Sequence, residues 1–486
     1  MSLSILILLP LITAIALLLC KGLKPVRLVA LSGAVVQLIG VLILFFYYWQ
    51  QRAAGNTDAM LFVEDHVWFA QLNIHYHIGV DGISIAMILL TAFVTVAGIL
   101  VSWSMEKLNK EFFFLLVLLS LGAYGFFISL DLFTLFFFLE VAVIPKFLLI
   151  GIWGSGKKEY SAMKLALMLM GGSALVFVGL AGVYYNTQTV DGAHTFDLIQ
   201  LAQLHIPEAV QKLFFPFAFI GFGIFTALFP FHTWVPDGHS SAPTAASMFL
   251  AGISMKLGGY GCLRVAQIMP DAAQYYSWII ILLATIAIIY GAFATMMQTD
   301  LKYINAYSSV SHCGFVLLGI GMLTKTAMMG AVMQMVSHGL MTALFFAAIG
   351  MLYNRTHTRQ VAQLGGLLKV MPFITTVFVI AGLCSLGLPG LSGFAAEVTV
   401  LMGAWEKADA WYRLATILAC ASIVVTAVYI LRAMGKVIMG PLQVEGGATI
   451  TLTDADWNEK AAAAILIIGI VAIGMAPFWL TVLINH

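Results

Sequence analysis

Phe136-Phe137-Phe138-Leu139-Glu140-Val141 sets a carboxylate in the middle of an apolar run, and how this stretch is read decides the fold. Two other stretches repeat the pattern with a buried charge: Ser254-Met255-Lys256-Leu257 and Phe394-Ala395-Ala396-Glu397. A charge at mid-bilayer depth costs at least about 3 kcal/mol, so it persists where it faces a bundle interior and serves an ion path, a proton relay or a counter-ion.

The rest of the chain is equally apolar. Of its 486 residues, 62% are hydrophobic and 9% charged, and the mean hydropathy is +1.00. About a quarter of the residues in soluble domains are charged, so this is an all-α polytopic membrane protein. The net charge of +1 leaves no basic or acidic excess, and no nucleic-acid partner is expected. The five cysteines (Cys20, Cys262, Cys313, Cys384 and Cys420) stand singly without a CxxC pair, which argues against zinc or iron–sulfur binding. There is no GxGxxG after a strand, no Walker motif and no haem or flavin attachment pattern. The first apolar run, Leu3 to Leu19, lacks a basic flank and a small-residue cleavage site and is expected to be a retained helix.

At about 20 residues per crossing, the sequence predicts about fourteen transmembrane helices. They centre near residues 11, 38, 90, 119, 141, 174, 220, 252, 287, 316, 342, 380, 423 and 472. Lys21, Lys24, Arg27, Lys107, Lys110, Lys157, Lys158, Lys302, Arg355, Arg359 and Lys369 fall in loops on one side. The other side carries roughly half as many cations, so the first set is expected to be cytoplasmic and both termini periplasmic. Span 7 runs into Phe229-Pro230-Phe231-His232-Thr233-Trp234-Val235-Pro236-Asp237, and span 12 breaks at Gly387-Leu388-Pro389-Gly390-Leu391-Ser392-Gly393. Proline frees a carbonyl that hydrocarbon cannot satisfy, so such breaks line hydrated cavities. Breaks five spans apart suggest two inverted five-helix repeats, spans 4–8 and 9–13. The expected organisation is one membrane domain, 1–486, made of N-terminal helices 1–110, repeats 111–265 and 274–437, and a C-terminal helix 459–486.

Glu140 and Lys256 lie too deep to reach either surface easily. Each is either a proton-exchanging group or half of a structural ion pair or hydrogen bond. His312 in Ser311-His312-Cys313 and His338 in Ser337-His338-Gly339 fall on neighbouring spans and can exchange protons near neutral pH. They are either relay stations or statically hydrogen-bonded core residues. His232, Asp237 and His239 could ligate a metal, but their spacing is loose. Trp153, Trp234 and Trp479 are expected interface anchors.

At these motifs the chain resembles the antiporter-like proton-translocating subunits of respiratory complex I. Gly79-Val80-Asp81-Gly82-Ile83-Ser84 looks like the family's GxDGIS opening of span 3. The FPFHTWVPD stretch with Ala242-Pro243-Thr244-Ala245, then Lys256, Ser309-Val310-Ser311-His312, Ser337-His338-Gly339 and His357-Thr358-Arg359, follow in the family's order. Glu397, where L and N subunits carry lysine, is similar to the M-type pattern. The resemblance implies a non-redox subunit of a proton-translocating NADH–quinone oxidoreductase in a bacterial inner membrane. Glu140, Lys164, Lys256, His312, His338 and Glu397 would form its proton relay. It also implies lipids and sister membrane subunits, especially L- and N-type, as partners. Flavin, iron–sulfur clusters and quinone would belong to partner subunits, and no cofactor to this chain. One position departs: the family's span 7 lysine is Phe225 here, while Lys146 after Pro145 offers a replacement from span 5. A subunit of an Mrp-like cation/proton antiporter, or of a ferredoxin- or hydrogenase-linked complex, is the alternative.

Overall fold

The computed structural model describes residues 2–189, 192–204, 206–443 and 452–485. Helices α1 (Ile5–Leu19) and α2 (Leu23–Ala53) lead into a hairpin of β1 (Leu61–Phe69) and β2 (Ile74–Val80). Then follow α3 (Gly82–Val101), α4 (Asn109–Ile128), α5 (Leu132–Trp153), α6 (Lys158–Asn186) and the short α7 (Leu198–Gln203). The next segment holds α8 (Glu208–Thr226), α9 (Trp234–Ser241), α10 (Thr244–Phe249) and α11 (Met255–Ile268). A second series comprises α12 (Pro270–Met296), α13 (Leu301–Met322), α14 (Lys325–Thr356), α15 (Pro372–Ser385), α16 (Ser392–Trp405) and α17 (Ala410–Ile438). The chain ends in α18 (Trp457–Met475) and α19 (Phe478–Asn485).

Among the described residues, ten helices are long and apolar enough to cross a membrane. Every predicted span centre falls on a helical segment, but α1, α13, α15 and the π-turn at the eighth centre lie outside those ten. The chain is therefore a multi-pass helical membrane protein. The long connection Gln50–His77 is not purely loop: β1 and β2 pair antiparallel there, Asp65 opposite His77 and Val67 opposite His75. Only β2 alternates at period 2 (Ile74-His75-Tyr76-His77-Ile78); β1 instead sets Glu64-Asp65-His66 between two apolar triplets, and most of it is exposed, as suits a hairpin lying on a surface.

Burial separates the helices into layers. The whole apolar window of α14 is buried, against 28% for α2, so α14 forms the axis and α2 lies at the periphery. Charged and polar residues on α14 consequently point into protein whichever way they face. Asp81, Asp131, Asp197 and Asp300 each accept backbone N–H groups at the start of α3, α5, α7 and α13. One such cap stabilises a helix end by about 1 kcal/mol.

Both expected breaks occur. Between α8 and α9 seven residues leave the helix, and between α15 and α16 six do. A third irregularity was not predicted: Leu250–Ser254 forms a π-helical turn immediately before Lys256. Gly258 lets α11 close on α8, where a Cβ would collide with the backbone of Phe222 and Thr226. Trp234 is not an interface anchor; it is 1% exposed and its indole donates to the Ile224 carbonyl at 2.9 Å, pinning the first break.

Candidate functional site

The π-turn sets the position of Lys256. Its Nζ donates to the Ala251 carbonyl, one wide turn back, and lies 2.7 Å from His338 Nδ1 on α14. The His338 and His312 rings face each other with centroids 5.3 Å apart. His312 Nδ1 is 3.2 Å from Glu397 Oε1 on α16, and its Nε2 is 3.0 Å from Ser385 Oγ at the end of α15. These four groups, from four different helices, are all at most 5% exposed. A hydrogen bond joins Lys256 to His338 and an ion-pair contact joins His312 to Glu397; between them the two imidazole rings are tilted by 32°.

The break between α15 and α16 serves this line directly. Gly387 has φ +76°, a conformation glycine adopts without penalty. A side chain there would stand 2.9 Å from Glu397 Oε2. The break thus brings bare backbone against the carboxylate, and Ser392 just beyond it bonds Ser337 of α14 at 2.8 Å.

A second cluster lies on α5. Lys146 is 1% exposed and its ammonium has no hydrogen-bond partner. It stands 5.6 Å from the centre of the Phe225 ring on α8, within the range of a cation–π contact. Glu140 is the charged group that acts on it, and Glu140 Oε1 is likewise buried without a partner. Pro145 sits inside α5 without ending it. Lys146 thus lies beside Phe225, the position at which the sequence reading looked for a replacement lysine, and no hydrogen bond joins it to Glu140.

Lys164 stands apart from both clusters. Its Nζ is 2.7 Å from Asp237 Oδ2 on α9, with both side chains about a quarter exposed. Asp237 is thereby occupied, and His239 is enclosed by the Trp234 and Phe346 rings at 5.9 and 5.7 Å. The possible metal trio His232, Asp237 and His239 does not converge; among the described residues no group of three such ligands does. His239 has both ring nitrogens unpartnered, with Lys302 and Lys256 the charges acting on it.

Sequence reasoning missed several polar neighbours. Gln334 Nε2 comes within 3.4 Å of His312 Nδ1, and Cys313 Sγ within 3.9 Å of His338. Gln334 and His338 are one helical turn apart on α14, a spacing that could have revealed their shared face. Arg264 was also missed: it lies two turns beyond Lys256 and pairs with Asp81 at 2.6 Å, with Tyr260 OH 2.9 Å from its Nη2.

Several known proteins are similar to this chain over most of its length. The family model described as NADH:quinone oxidoreductase/Mrp antiporter, TM, matches residues 129–425. A chain 4 of NAD(P)H-quinone oxidoreductase from Microcystis aeruginosa is 38% identical over 446 residues, covering 90% of this chain and 79% of the relative. NADH-quinone oxidoreductase subunit M from Rickettsia conorii is 35% identical over 485 residues, covering 98% and 95%. Among solved structures, a chain of respiratory complex I from Thermus thermophilus with bound NADH superposes with a TM-score of 0.88 at 25% identity, covering 100% and 98%. A chain of the Mrp complex from a Dietzia species gives 0.87 at 19% identity, covering 99% and 96%, which speaks to fold alone. Matched over most of its length by M-type and chain 4 subunits, the chain belongs to the NADH:quinone oxidoreductase/Mrp antiporter transmembrane family.

Proposed function

We propose that this chain is the M-type proton-translocating subunit of an NADH–quinone oxidoreductase. Its relatives of that name support the assignment over an Mrp-like antiporter, which shares the fold at lower identity. Quinone reduction takes place in other subunits, and this chain contributes a proton route as part of the translocase. Its lysine- and arginine-rich loops face the cytoplasm of a bacterial inner membrane, its termini face the periplasm, and L- and N-type sister subunits flank it.

The observation that carries the mechanism is the buried line Lys256–His338–His312–Glu397. A proton can pass between the Lys256 ammonium and His338 Nδ1 across 2.7 Å, and between His312 Nδ1 and the Glu397 carboxylate across 3.2 Å, in either direction. The Glu140–Lys146 pair acts as the input. When charge changes at Glu140, the energy of the Lys146 ammonium changes with it, because little solvent screens a buried pair. Lys146 takes the role that a span 7 lysine holds elsewhere in the family, and Lys164 steadies the first break through Asp237. Coupling of charge states through such a contiguous network needs no cofactor in this chain.

The test is purification through a tag on this chain in mild detergent, followed by proton-pumping measurements on reconstituted material. The expected result is co-isolation with a quinone-reducing arm and sister membrane chains, and pumping that depends on electron transfer. Cation/proton antiport by an assembly without redox activity would overturn the assignment.

A further inference from the structure

Beyond Glu397 the polar line meets a residue that the relay leaves unexplained. Tyr429 on α17 is 1% exposed, and its hydroxyl has no hydrogen-bond partner. A buried hydroxyl without a partner costs about 1–3 kcal/mol, so in a settled structure the group points at something that donates or accepts. The groups that bear on it electrostatically are Thr426, the Glu397 carboxylate and Ser385. Ser385 is the same residue that contacts His312 Nε2 at 3.0 Å.

The other side of Tyr429 borders a cavity of about 70 Å³, lined also by Thr295, Gln298, Thr299, Arg432 and Lys436. One water needs about 10–15 Å³ of such space and two to four polar partners, and this cavity meets both conditions several times over. Thr295 is near the end of α12 and Arg432 and Lys436 near the end of α17. Both ends face the cytoplasm in the orientation given above, and Arg432 and Lys436 are exposed. Arg432 donates to the Met296 carbonyl, which holds the two helix ends together at the cavity mouth.

We infer that this cavity is a cytoplasmic proton-uptake route to Glu397, with the Tyr429 hydroxyl as its last step. An excess proton on cavity water passes to the Tyr429 oxygen while the hydroxyl proton moves on to the Glu397 carboxylate, directly or through Ser385 Oγ. The water loses one proton, the carboxylate gains one, and the tyrosine ends neutral. The inference rests on Glu397 being a relay group.

The experiment uses the assembled complex in membrane vesicles. Tyr429→Phe keeps the ring and removes the hydroxyl; protons moved per electron should fall at least about threefold. Uncoupled electron transfer should be unchanged, and lowering the cytoplasmic pH should restore part of the pumping. Ala433→Cys, on the cavity wall, should react with a membrane-impermeant cationic thiosulfonate from the cytoplasmic face only, and the modification should lower pumping. Full pumping by assembled Tyr429→Phe overturns the proposal, as does Ala433→Cys that resists modification or reacts only from the periplasmic face. Glu397→Gln measured in parallel separates the two ideas. If it loses pumping while Tyr429→Phe does not, the relay stands and this uptake route falls; if it pumps like the parent, both fall.

Discussion

Lys146 and Lys256 are both 1% exposed, yet their surroundings differ in kind. Lys256 has a carbonyl and an imidazole within hydrogen-bond distance, and the line continues from there to Glu397. Lys146 has an aromatic face, the field of Glu140 and no hydrogen bond. An unsatisfied buried polar group costs about 1–3 kcal/mol, and a charged one more. The first half of the molecule is therefore held in a high-energy arrangement that a small change in charge can tip, and the second is pre-connected. In the proposed route the Glu140–Lys146 cluster switches and the Lys256–Glu397 line conducts.

The largest effect should come from cutting the connected half. Glu397→Gln and Lys256→Met should each lower proton pumping in the assembled complex by about tenfold or more, the range expected when a positioned proton carrier is removed. Members of one path act as a unit, so the double variant should be scarcely worse than the poorer single one. Pumping defects that multiply would mean that the two residues hold separate structural roles and that the line does not conduct.

Much of this half was legible from sequence, because charge inside an apolar run is conspicuous and histidines in polar micro-motifs are few. Lys256, His312, His338 and Glu397 were all identified from Ser254-Met255-Lys256, Ser311-His312, Ser337-His338 and Ala396-Glu397. The π-turn at Leu250–Ser254 was not, since Leu250-Ala251-Gly252-Ile253-Ser254 carries no proline or other marker, and the wide turn depends on tertiary packing. Arg264 and Tyr429 escaped for another reason. Asp81, which pairs with Arg264, and Ser385, which bears on Tyr429, are far away in sequence, and one such residue does not reveal the other. The hairpin was hidden because a search for apolar runs passes over a half-polar strand pair.

In the switching half the expected effect is smaller and depends on the partner. Glu140→Gln and Lys146→Met should each lower pumping several-fold without loss of assembly, because both preserve side-chain shape. Adding Phe225→Lys to Lys146→Met should return part of the activity, since the two side chains occupy one site from opposite helices. Normal pumping in Lys146→Met would remove Lys146 from the route and leave its burial a matter of packing.

Lys164 should matter less again. Its pair with Asp237 is about a quarter exposed on both sides, and such pairs contribute about 0–1 kcal/mol. Lys164→Gln is expected to lower pumping by about twofold at low ionic strength and by less at high salt, where exposed charges are screened. A loss as large as that of Glu140→Gln would make Lys164 a relay member in its own right.

The smallest effect tests whether the switching half senses the outer solution. α5, which carries Glu140 and Lys146, begins at Asp131, and Leu130 N donates to the His77 carbonyl on β2 at 2.8 Å. The His77 ring is 2.6 Å from Asp197 Oδ2 and largely buried. Burial opposes charge on this imidazole, but the bond to Asp197 and the charges of Asp197, Asp65 and Asp131 outweigh it and raise its pKa above the ordinary 6.5. A raised folded pKa means that the contact contributes fully below about pH 6.5 and fades as pH rises through the folded value. Asp197, held below its ordinary 3.8, stays ionised throughout that window, so the histidine alone sets the trend. A charge-assisted bond of this kind is worth on the order of 1 kcal/mol, or about fivefold in the opening equilibrium. The Leu130 amide should therefore exchange about fivefold more slowly at pH 6 than at pH 9, after correction for intrinsic rates, and His77→Gln should abolish the difference. Equal protection at both pH values would show that the hairpin holds α5 by its backbone alone, and that the outer solution reaches the switching half only through the protons it carries.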